Sequence, residues 1–162
     1  MTTAEVASFL ETFQTLVMAS LTPDGVPHAS TAPYIQIEKD FYILISTVAQ
    51  HGRNLLATGK VSLLFAEDES KMLQPFARKR ATIEASVFKI GREQTVFLEA
   101  IDHFKAHFDP DLVQSLSEME DFHLFKLFPL SGSVVMGFGK AYRLNENLEV
   151  LTHISAVHQH SK

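Results

Sequence analysis

A length of 162 residues fits one domain, and 46% hydrophobic residues suffice for a sizeable core without crosslinks. Cysteine is absent, which excludes disulfides, thiolate metal sites and a cysteine nucleophile. The formal net charge of −5 argues against a nucleic-acid partner, because phosphate binding needs a basic face. A small anionic ligand stays open, since a few local arginines are enough to hold it.

The beginning of the chain predicts neither export nor membrane insertion. Its first ten residues carry no basic segment and include Glu5, so no signal peptide is expected. No apolar run approaches the ~18 residues that indicate a membrane helix. Together with the lack of cysteine, these features predict a cytoplasmic protein that does not enter the membrane.

The first third of the chain predicts one helix and three strands. Residues 3–13 predict a short helix capped by Thr2 or Thr3. A strand over Thr15–Leu21 is followed by a Thr-Pro-Asp-Gly turn at 22–25, in which proline fixes one dihedral angle and glycine accepts a positive φ. Strands over 28–38 and 41–46 are joined by a predicted tight hairpin at Lys39-Asp40.

The remaining chain alternates short helices with strands. Residues 48–57 predict a helix that ends at Thr58-Gly59, and residues 61–66 predict a strand. Residues 79–90 alternate, with Ala81, Ile83, Ala85 and Val87 on one face. Two helices are predicted next, over 91–107 and 112–116. Two strands, over 122–128 and 133–144, and extended chain over 148–154 are the last predicted elements.

This order indicates an α+β, mainly β fold: a split β-barrel with short flanking helices. We predict a barrel domain over 1–144 and a C-terminal tail over 145–162 that contributes to the ligand site.

One candidate site follows the third predicted strand. Ser46-Thr47 and His51-Gly-Arg53-Asn54 lie where a strand ends and a helix begins. Free N–H groups at a helix start attract an anion, and an arginine adds a paired charge, so this segment could hold a phosphate or carboxylate. The same residues also fit an ordinary polar helix start with a surface arginine, and spacing alone favours that interpretation.

A second candidate is the basic segment Arg78-Lys79-Arg80. If it lies in a strand, Arg78 and Arg80 share one face and Lys79 points to the other. Two arginines on one face suit a carboxylate or phosphate. A charged strand end that discourages edge pairing explains the segment equally well.

Histidines concentrate near the end of the chain, at His153, His158 and His160. Neutral imidazole is a good ligand for iron and other transition metals, although composition alone favours a disordered tail. His103 and His107 have helical spacing without a zinc motif, which favours a solvated face. No motif for nucleophilic catalysis is present, and Gly137-Phe-Gly139 is interpreted as a bend within strand-like sequence.

Several of these motifs together resemble the HugZ/HutZ-type haem-utilisation proteins of the pyridoxamine-5′-phosphate-oxidase-like, FMN-binding split-barrel superfamily. The similarity spans nearly the whole chain. The matching stretches are Leu16-Val-Met-Ala-Ser-Leu, Asp24-Gly-Val-Pro27, Ala32-Pro-Tyr34, Phe41-Tyr-Ile-Leu-Ile-Ser46, His51-Gly-Arg-Asn-Leu55, Phe76-Ala-Arg-Lys-Arg80, Asp121-Phe122, Leu124-Phe125 and Gly137-Phe-Gly-Lys-Ala141.

The resemblance implies a homodimer with haem at the subunit interface and haem-oxygenase-like ring opening by O₂, with an electron donor left open. It implies His158 as the iron ligand, with His160 or His153 as alternatives. It further implies that Arg80 contacts a haem propionate and that Asp121 hydrogen-bonds the partner's iron-ligating histidine. An FMN-binding oxidoreductase, with Ser46, Thr47, Arg53 and Arg80 around a phosphate, and a non-enzymatic haem storage or delivery protein are the alternatives.

Overall fold

Six antiparallel strands close into a barrel in the computed structural model, which describes residues 1–155. The elements of this described part are α1 (Thr3–Leu10), β1 (Thr15–Leu21), β2 (Pro27–Ile37), β3 (Asp40–Ser46), α2 (Gln50–Thr58), β4 (Lys60–Ala66), a 3₁₀ turn (Pro75–Ala77), β5 (Arg80–Ile90), α3 (Thr95–His107), α4 (Pro110–Glu118), β6 (Phe122–Val135), β7 (Ala141–Leu144) and β8 (Val150–His153). The prediction of an α+β, mainly β split barrel is confirmed.

Strand β6 explains how the barrel is both closed and split. The sheet order is β3-β2-β1-β4-β5-β6-β7-β8, and β3 also pairs with β6. One edge of β6 pairs with β5 along most of its length. The other edge pairs first with β3, over Phe122–Leu127, and then with β7, over Gly132–Val135. The barrel therefore closes at the beginning of β6, and a β7–β8 hairpin extends the sheet from its end.

The core consists of two layers. Alternating residues of the strands, such as Leu63 and Ile83, fill the barrel interior, which α1 also covers through Val6 and Leu10. A second apolar cluster lies between the outer surface of the barrel and α3 with α4. Tyr34 is buried in the interior and donates a 2.7 Å hydrogen bond to the Leu10 carbonyl. Burial raises the pKa of its hydroxyl, which therefore stays protonated.

Local sequence signals are confirmed at several element ends. Thr2 caps α1 in a reciprocal capping box with Glu5. The predicted turn before β2 is closed by the Gly25 N–H on the Thr22 carbonyl at 2.9 Å, with Gly25 at φ +87°. Gly59, at φ +64°, ends α2. The hairpin between β2 and β3 lies one residue earlier than the predicted Lys39-Asp40 turn. Asp40 already belongs to β3, and Glu38 takes the positive φ.

Two predictions about strands are wrong. Residues 133–144 do not form one strand, because the chain reverses over 136–140, with Gly137 at φ +146° and Gly139 at φ +67°. Arg78 does not share a strand face with Arg80, because it follows the 3₁₀ turn and β5 begins at Arg80. The predicted extension within 148–154 is confirmed as β8, which pairs with β7.

None of the helices within residues 1–155 combines the length and apolar character needed to cross a bilayer.

Candidate functional site

The predicted residues fall into two groups. We name the first the β3–α2 corner: Ser46 and Thr47 at the end of β3, His51, Arg53 and Asn54 on α2, and Asp121 before β6. We name the second the arginine end: Arg78 and Arg80 at the beginning of β5. His153 lies beside the arginine end, whereas His158 and His160 lie outside the described residues.

Asp121 is the centre of the β3–α2 corner. Ser46 pairs with the first residue of β6, which brings Asp121 next to it although 75 positions separate the two in sequence. The Ser46 hydroxyl donates a 2.5 Å hydrogen bond to Asp121 Oδ2. The Thr47 backbone N–H donates to the Asp121 carbonyl at 2.8 Å, and the Thr47 hydroxyl donates to the same oxygen at 3.2 Å. Both the carboxylate and the backbone of Asp121 are therefore held in place.

Gly52 allows α2 to pack against this corner. It is buried, and a Cβ at this position would lie 2.9 Å from both the carbonyl carbon of Ser46 and Cα of Thr47. No side chain fits that gap without moving backbone. The glycine in the His-Gly-Arg-Asn motif is therefore explained by packing of helix against strand end.

The donors predicted to hold an anion at the corner are used within the chain. Ser46 and Thr47 donate to Asp121. Arg53 turns back on its own helix start, with Nη1 donating to the Val48 carbonyl and Nη2 donating to Gln50 Oε1 at 2.8 Å. A carboxylate thus stands where the phosphate was expected, and its negative charge disfavours a second anion there.

Asn54 and His51 lie on the inner side of α2. The Asn54 side chain is 0% exposed; it donates to Ser20 Oγ at 3.0 Å and accepts from Gln50 Nε2 at 2.7 Å. The Asn54 side chain therefore links α2 to β1 and is not accessible to a ligand. Burial lowers the pKa of His51, and the nearby His28 lowers it further, so the ring is neutral at pH 7.

The two arginines at the arginine end differ in their bonding. Arg78 donates from Nε to the Glu67 carbonyl at 2.8 Å and lies 3.7 Å from the Glu69 carboxylate. Arg80 is exposed and donates from Nη1 to the Arg78 carbonyl at 2.9 Å. Counting the bonds to residues 1–155, four of the five N–H donors of the Arg80 guanidinium remain for a ligand. Arg80 is thus better suited than Arg78 to hold a carboxylate.

Exposed aromatic side chains lie near Arg80, and sequence reasoning did not assign them a role. Phe76 is 88% exposed in the segment before β5, and Phe138 is 71% exposed in the turn between β6 and β7. Their exposed rings are free to contact an apolar ligand that lies across this end of the barrel. In the sequence, each of these phenylalanines stands close to cationic residues, in Phe-Ala-Arg-Lys-Arg and Gly-Phe-Gly-Lys, and this proximity could have marked them as candidate ligand contacts.

The end of β8 brings the tail to the same end of the barrel as Arg80. Arg80 pairs with Val135, Val135 pairs with Ala141, and the Ile154 N–H donates to the Ala141 carbonyl at 2.7 Å. His153 is held here through a 2.5 Å hydrogen bond between its Nε2 and the Gly139 carbonyl. One nitrogen of this imidazole is therefore already engaged.

The β3–α2 corner and the arginine end lie at opposite ends of the barrel. Phe122 begins β6 next to the corner, and Val135 ends it next to Arg80. The 14 residues of β6 extend about 43 Å from the first Cα to the last, at about 3.3 Å for each step between neighbours. A barrel tilt of about 45° reduces this to about 30 Å along the axis. One copy of the chain therefore does not bring Asp121 together with Arg80 or the tail.

Within residues 1–155, no three His, Asp or Glu side chains gather in a group that could hold a metal ion.

Comparisons with known proteins agree with the fold. A family model described as pyridoxamine 5′-phosphate oxidase matches residues 2–135. The chain is 34% identical to the heme oxygenase HutZ of Vibrio cholerae over 156 residues, which cover 96% of this chain and 88% of the relative.

Two solved structures extend the comparison. A crystal structure of Vibrio cholerae HutZ, described as a heme storage protein, matches with a TM-score of 0.73 and 34% identity over 78% of this chain and 88% of that one. A crystal structure of Campylobacter jejuni ChuZ matches with a TM-score of 0.85 and 30% identity over 98% of this chain and 64% of that one.

Proposed function

Since this chain belongs to the pyridoxamine 5′-phosphate oxidase family and, within it, to the HutZ-type haem-utilisation proteins, we propose that it binds haem between two copies of itself. We propose further that it opens the porphyrin ring with O₂ and electrons from an external reductant, releasing iron. HutZ of Vibrio cholerae, named a heme oxygenase and, in its crystal structure, a heme storage protein, supports haem as the ligand. We further propose the cytoplasm as its compartment, because the chain contains no cysteine.

The observation that carries haem over a flavin is the bond between Ser46 and Asp121. A flavin phosphate at the β3–α2 corner would have to displace this 2.5 Å hydrogen bond and approach a carboxylate. For a haem-binding protein the same carboxylate is useful, since an acid that accepts the N–H of an iron-ligating histidine makes that imidazole more electron-rich.

The donor set at the arginine end fits haem. A propionate needs a cation, which Arg80 offers with donors that residues 1–155 leave unused. The apolar porphyrin faces need apolar side chains, for which Phe76 and Phe138 are exposed at the same end. Bound haem would supply the iron at which O₂ is activated.

A second copy is proposed because the tail cannot reach Asp121 of its own chain. His158 is three residues beyond Ser155, and a chain extends by at most about 3.6 Å per residue. This reach of about 11 Å is well short of the barrel length that separates Ile154 from Asp121. In a two-fold pair with antiparallel barrels, the arginine end of one copy lies beside the β3–α2 corner of the other.

The outer surface of β1, β4 and β5 offers a face for this pairing. It exposes Val17 and Leu21, which are 38% and 40% exposed, and Leu130 of β6 at 52%. A hollow of about 390 Å³ lies between β1, β4 and β5. Apolar surface of this kind on a sheet is typical of interfaces between protein chains.

Within this proposed site each residue has a distinct role. His158 ligates the iron, with His160 as the alternative; His153 is a weaker alternative because its Nε2 is bonded to Gly139. The partner's Asp121 accepts the N–H of that histidine, orienting the ring and holding its proton. Arg80 holds a propionate and fixes the orientation of the porphyrin. Arg53, which bonds to its own helix start, is secondary.

A haem titration with and without ascorbate under O₂ tests the proposal. We expect a Soret band near ~400 nm on binding, and, with ascorbate, loss of that band, appearance of an open-chain tetrapyrrole and iron captured by a chelator. Haem binding without turnover would indicate storage and contradict the enzymatic part. A protein that ignores haem but retains flavin would contradict the proposal as a whole.

A further inference from the structure

The Arg92 guanidinium gathers three backbone carbonyls from the segment that carries Asp121. Its Nη2 donates to the carbonyls of Ser117 at 2.9 Å, Met119 at 2.8 Å and Phe122 at 3.2 Å, and its Nε donates to Ser117 at 3.2 Å. Arg92 lies in the connection between β5 and α3, whereas its acceptors lie at the end of α4 and the beginning of β6. It therefore ties two separate parts of the chain together.

The end of α4 leaves carbonyls that can accept from an external donor, and the Met119 carbonyl also accepts from the Phe122 N–H at 3.3 Å. The last carbonyls of a helix have no partner within the helix, and Ser117 is in the last turn of α4. The turn after it brings the Met119 and Phe122 carbonyls to the same place. A planar guanidinium can donate to several such acceptors at once, and its charge is favourable at a helix C-terminus.

Asp121 lies between the fixed residues of this turn. Met119 and Phe122 on either side of it are bonded to Arg92, while its own carbonyl and carboxylate are bonded to Thr47 and Ser46. The turn is thus held from one side by Arg92 and from the other by the end of β3. The direction of the Asp121 carboxylate depends on both.

We propose that Arg92 is a positioning residue that fixes the turn over 119–122 and so aims the Asp121 carboxylate. This inference rests on the proposed function in one respect, namely that Asp121 receives the N–H of the partner's iron-ligating histidine. Arg92 itself acts only through backbone carbonyls. Without it, three carbonyls that face one point would lose their common donor, and the turn would take up other conformations.

Hydrogen exchange in the haem-free protein tests the positioning role directly. The Thr47 N–H, bonded to the Asp121 carbonyl at 2.8 Å, reports whether the turn is in place. We expect its exchange to be about tenfold faster in Arg92→Ala, in keeping with a loss of local stability worth about 1.4 kcal/mol. Arg92→Lys keeps the positive charge but not the planar set of guanidinium donors, so it should give an intermediate exchange rate. This variant replaces Arg92→Ala in the test if the alanine variant does not fold.

Lys89→Ala is the matched control. Burial lowers the pKa of His123, and the nearby cations Lys89 and Arg92 lower it further, so Lys89 is a comparable positive charge in the same place. Within residues 1–155 it donates to none of the three carbonyls. We expect Thr47 exchange in this variant to match the parent protein. Unchanged Thr47 exchange in both Arg92 variants, or equal acceleration throughout the β3–β6 ladder, would overturn the inference.

A double-mutant cycle on haem affinity tests the link to Asp121. We expect Arg92→Lys to weaken haem binding about threefold to tenfold, and to have no further effect in an Asp121→Asn background. Additive effects would show that Arg92 acts by another route and would overturn the proposed link. If the parent protein does not bind haem, the proposed function fails, while the Thr47 measurement still decides whether Arg92 positions the turn.

Discussion

The Ser46 hydroxyl and the Asp121 carboxylate form a 2.5 Å hydrogen bond that joins the end of β3 to the turn before β6. The Thr47–Asp121 backbone hydrogen bond, at 2.8 Å, lies beside it. The two together make the corner a rigid place from which a carboxylate can be presented. The end of β3 thereby holds both the carboxylate and the backbone of a single acidic residue.

Removal of the Ser46 hydroxyl should lower the free energy of unfolding more than removal of an exposed serine hydroxyl that also donates to a carboxylate. We expect Ser46→Ala to reduce the free energy of unfolding by about 1 kcal/mol, because a partly buried carboxylate loses a donor. Ser70→Ala is the control: its hydroxyl donates to Asp68 at 2.5 Å in the exposed loop after β4, and its loss should cost less than about 0.5 kcal/mol. Urea unfolding of both variants checks this, and equal costs would contradict it.

Gly52 should not tolerate alanine. A Cβ there would overlap the backbone of Ser46 and Thr47, so α2 would have to move away from β3, at a cost of about 2 kcal/mol or more. At Gly91 an added Cβ would meet only the flexible end of Glu93, and Gly91→Ala should stay within about 0.5 kcal/mol of the parent protein. Thermal unfolding of the two variants distinguishes the sites. A tolerated alanine at Gly52 would refute the packing argument.

A mixture of two inactive variants tests whether the site is shared between copies. If Asp121 and His158 come from different copies, Asp121→Asn mixed with His158→Ala rebuilds one complete site in each mixed dimer. We expect haem bound at that site to recover the parent Soret spectrum at up to half the sites in each mixed dimer, as measured after joint refolding. Failure of the mixture to recover any parent-like spectrum would argue for a site within one copy.

Arg80 should contribute to ligand affinity but not to folding. Its guanidinium is exposed and bonds to one carbonyl within residues 1–155, so Arg80→Ala should leave the unfolding midpoint unchanged. We expect haem affinity to fall about threefold to tenfold, the loss of a charge-assisted bond to a propionate. The dimethyl ester of the porphyrin, which has no carboxylates, should bind both proteins alike. Arg78→Ala is the companion variant, expected to loosen the bond to Glu67 instead.

Stability should decline on mild acidification because of His51. In the unfolded chain this residue takes up a proton near its ordinary pKa of 6.5, whereas burial lowers its pKa in the folded protein. Its contribution is therefore fully present above pH 6.5 and is lost as the pH falls from there through the folded-state pKa. Urea unfolding at pH 7.5 and about pH 5.5 should show a smaller decline in His51→Gln than in the parent protein. An identical decline in both would exclude His51 as its source.

Elements that depend on neighbouring residues were predictable. The alternation of Ala81, Ile83 and Ala85 gives a strand with one buried face because side chains of a strand point to alternate sides. The turn ending at Gly25 follows from the conformations open to proline and glycine. The prediction fails where one local pattern is compatible with two different structures. Gly137 and Gly139 fit a bend within a strand, but in the structure their positive φ values reverse the chain.

The sequence by itself determined that the chain forms a mainly β barrel with an arginine segment and a histidine-rich tail, because composition and strand periodicity act locally. Only the tertiary structure decided which of these lie together. Asp121 meets Ser46 across 75 positions because β3 and β6 pair in one register, and the same β6 carries its other end to Arg80 and the tail. Register between distant strands arises from the packing of the whole barrel, which no short segment encodes.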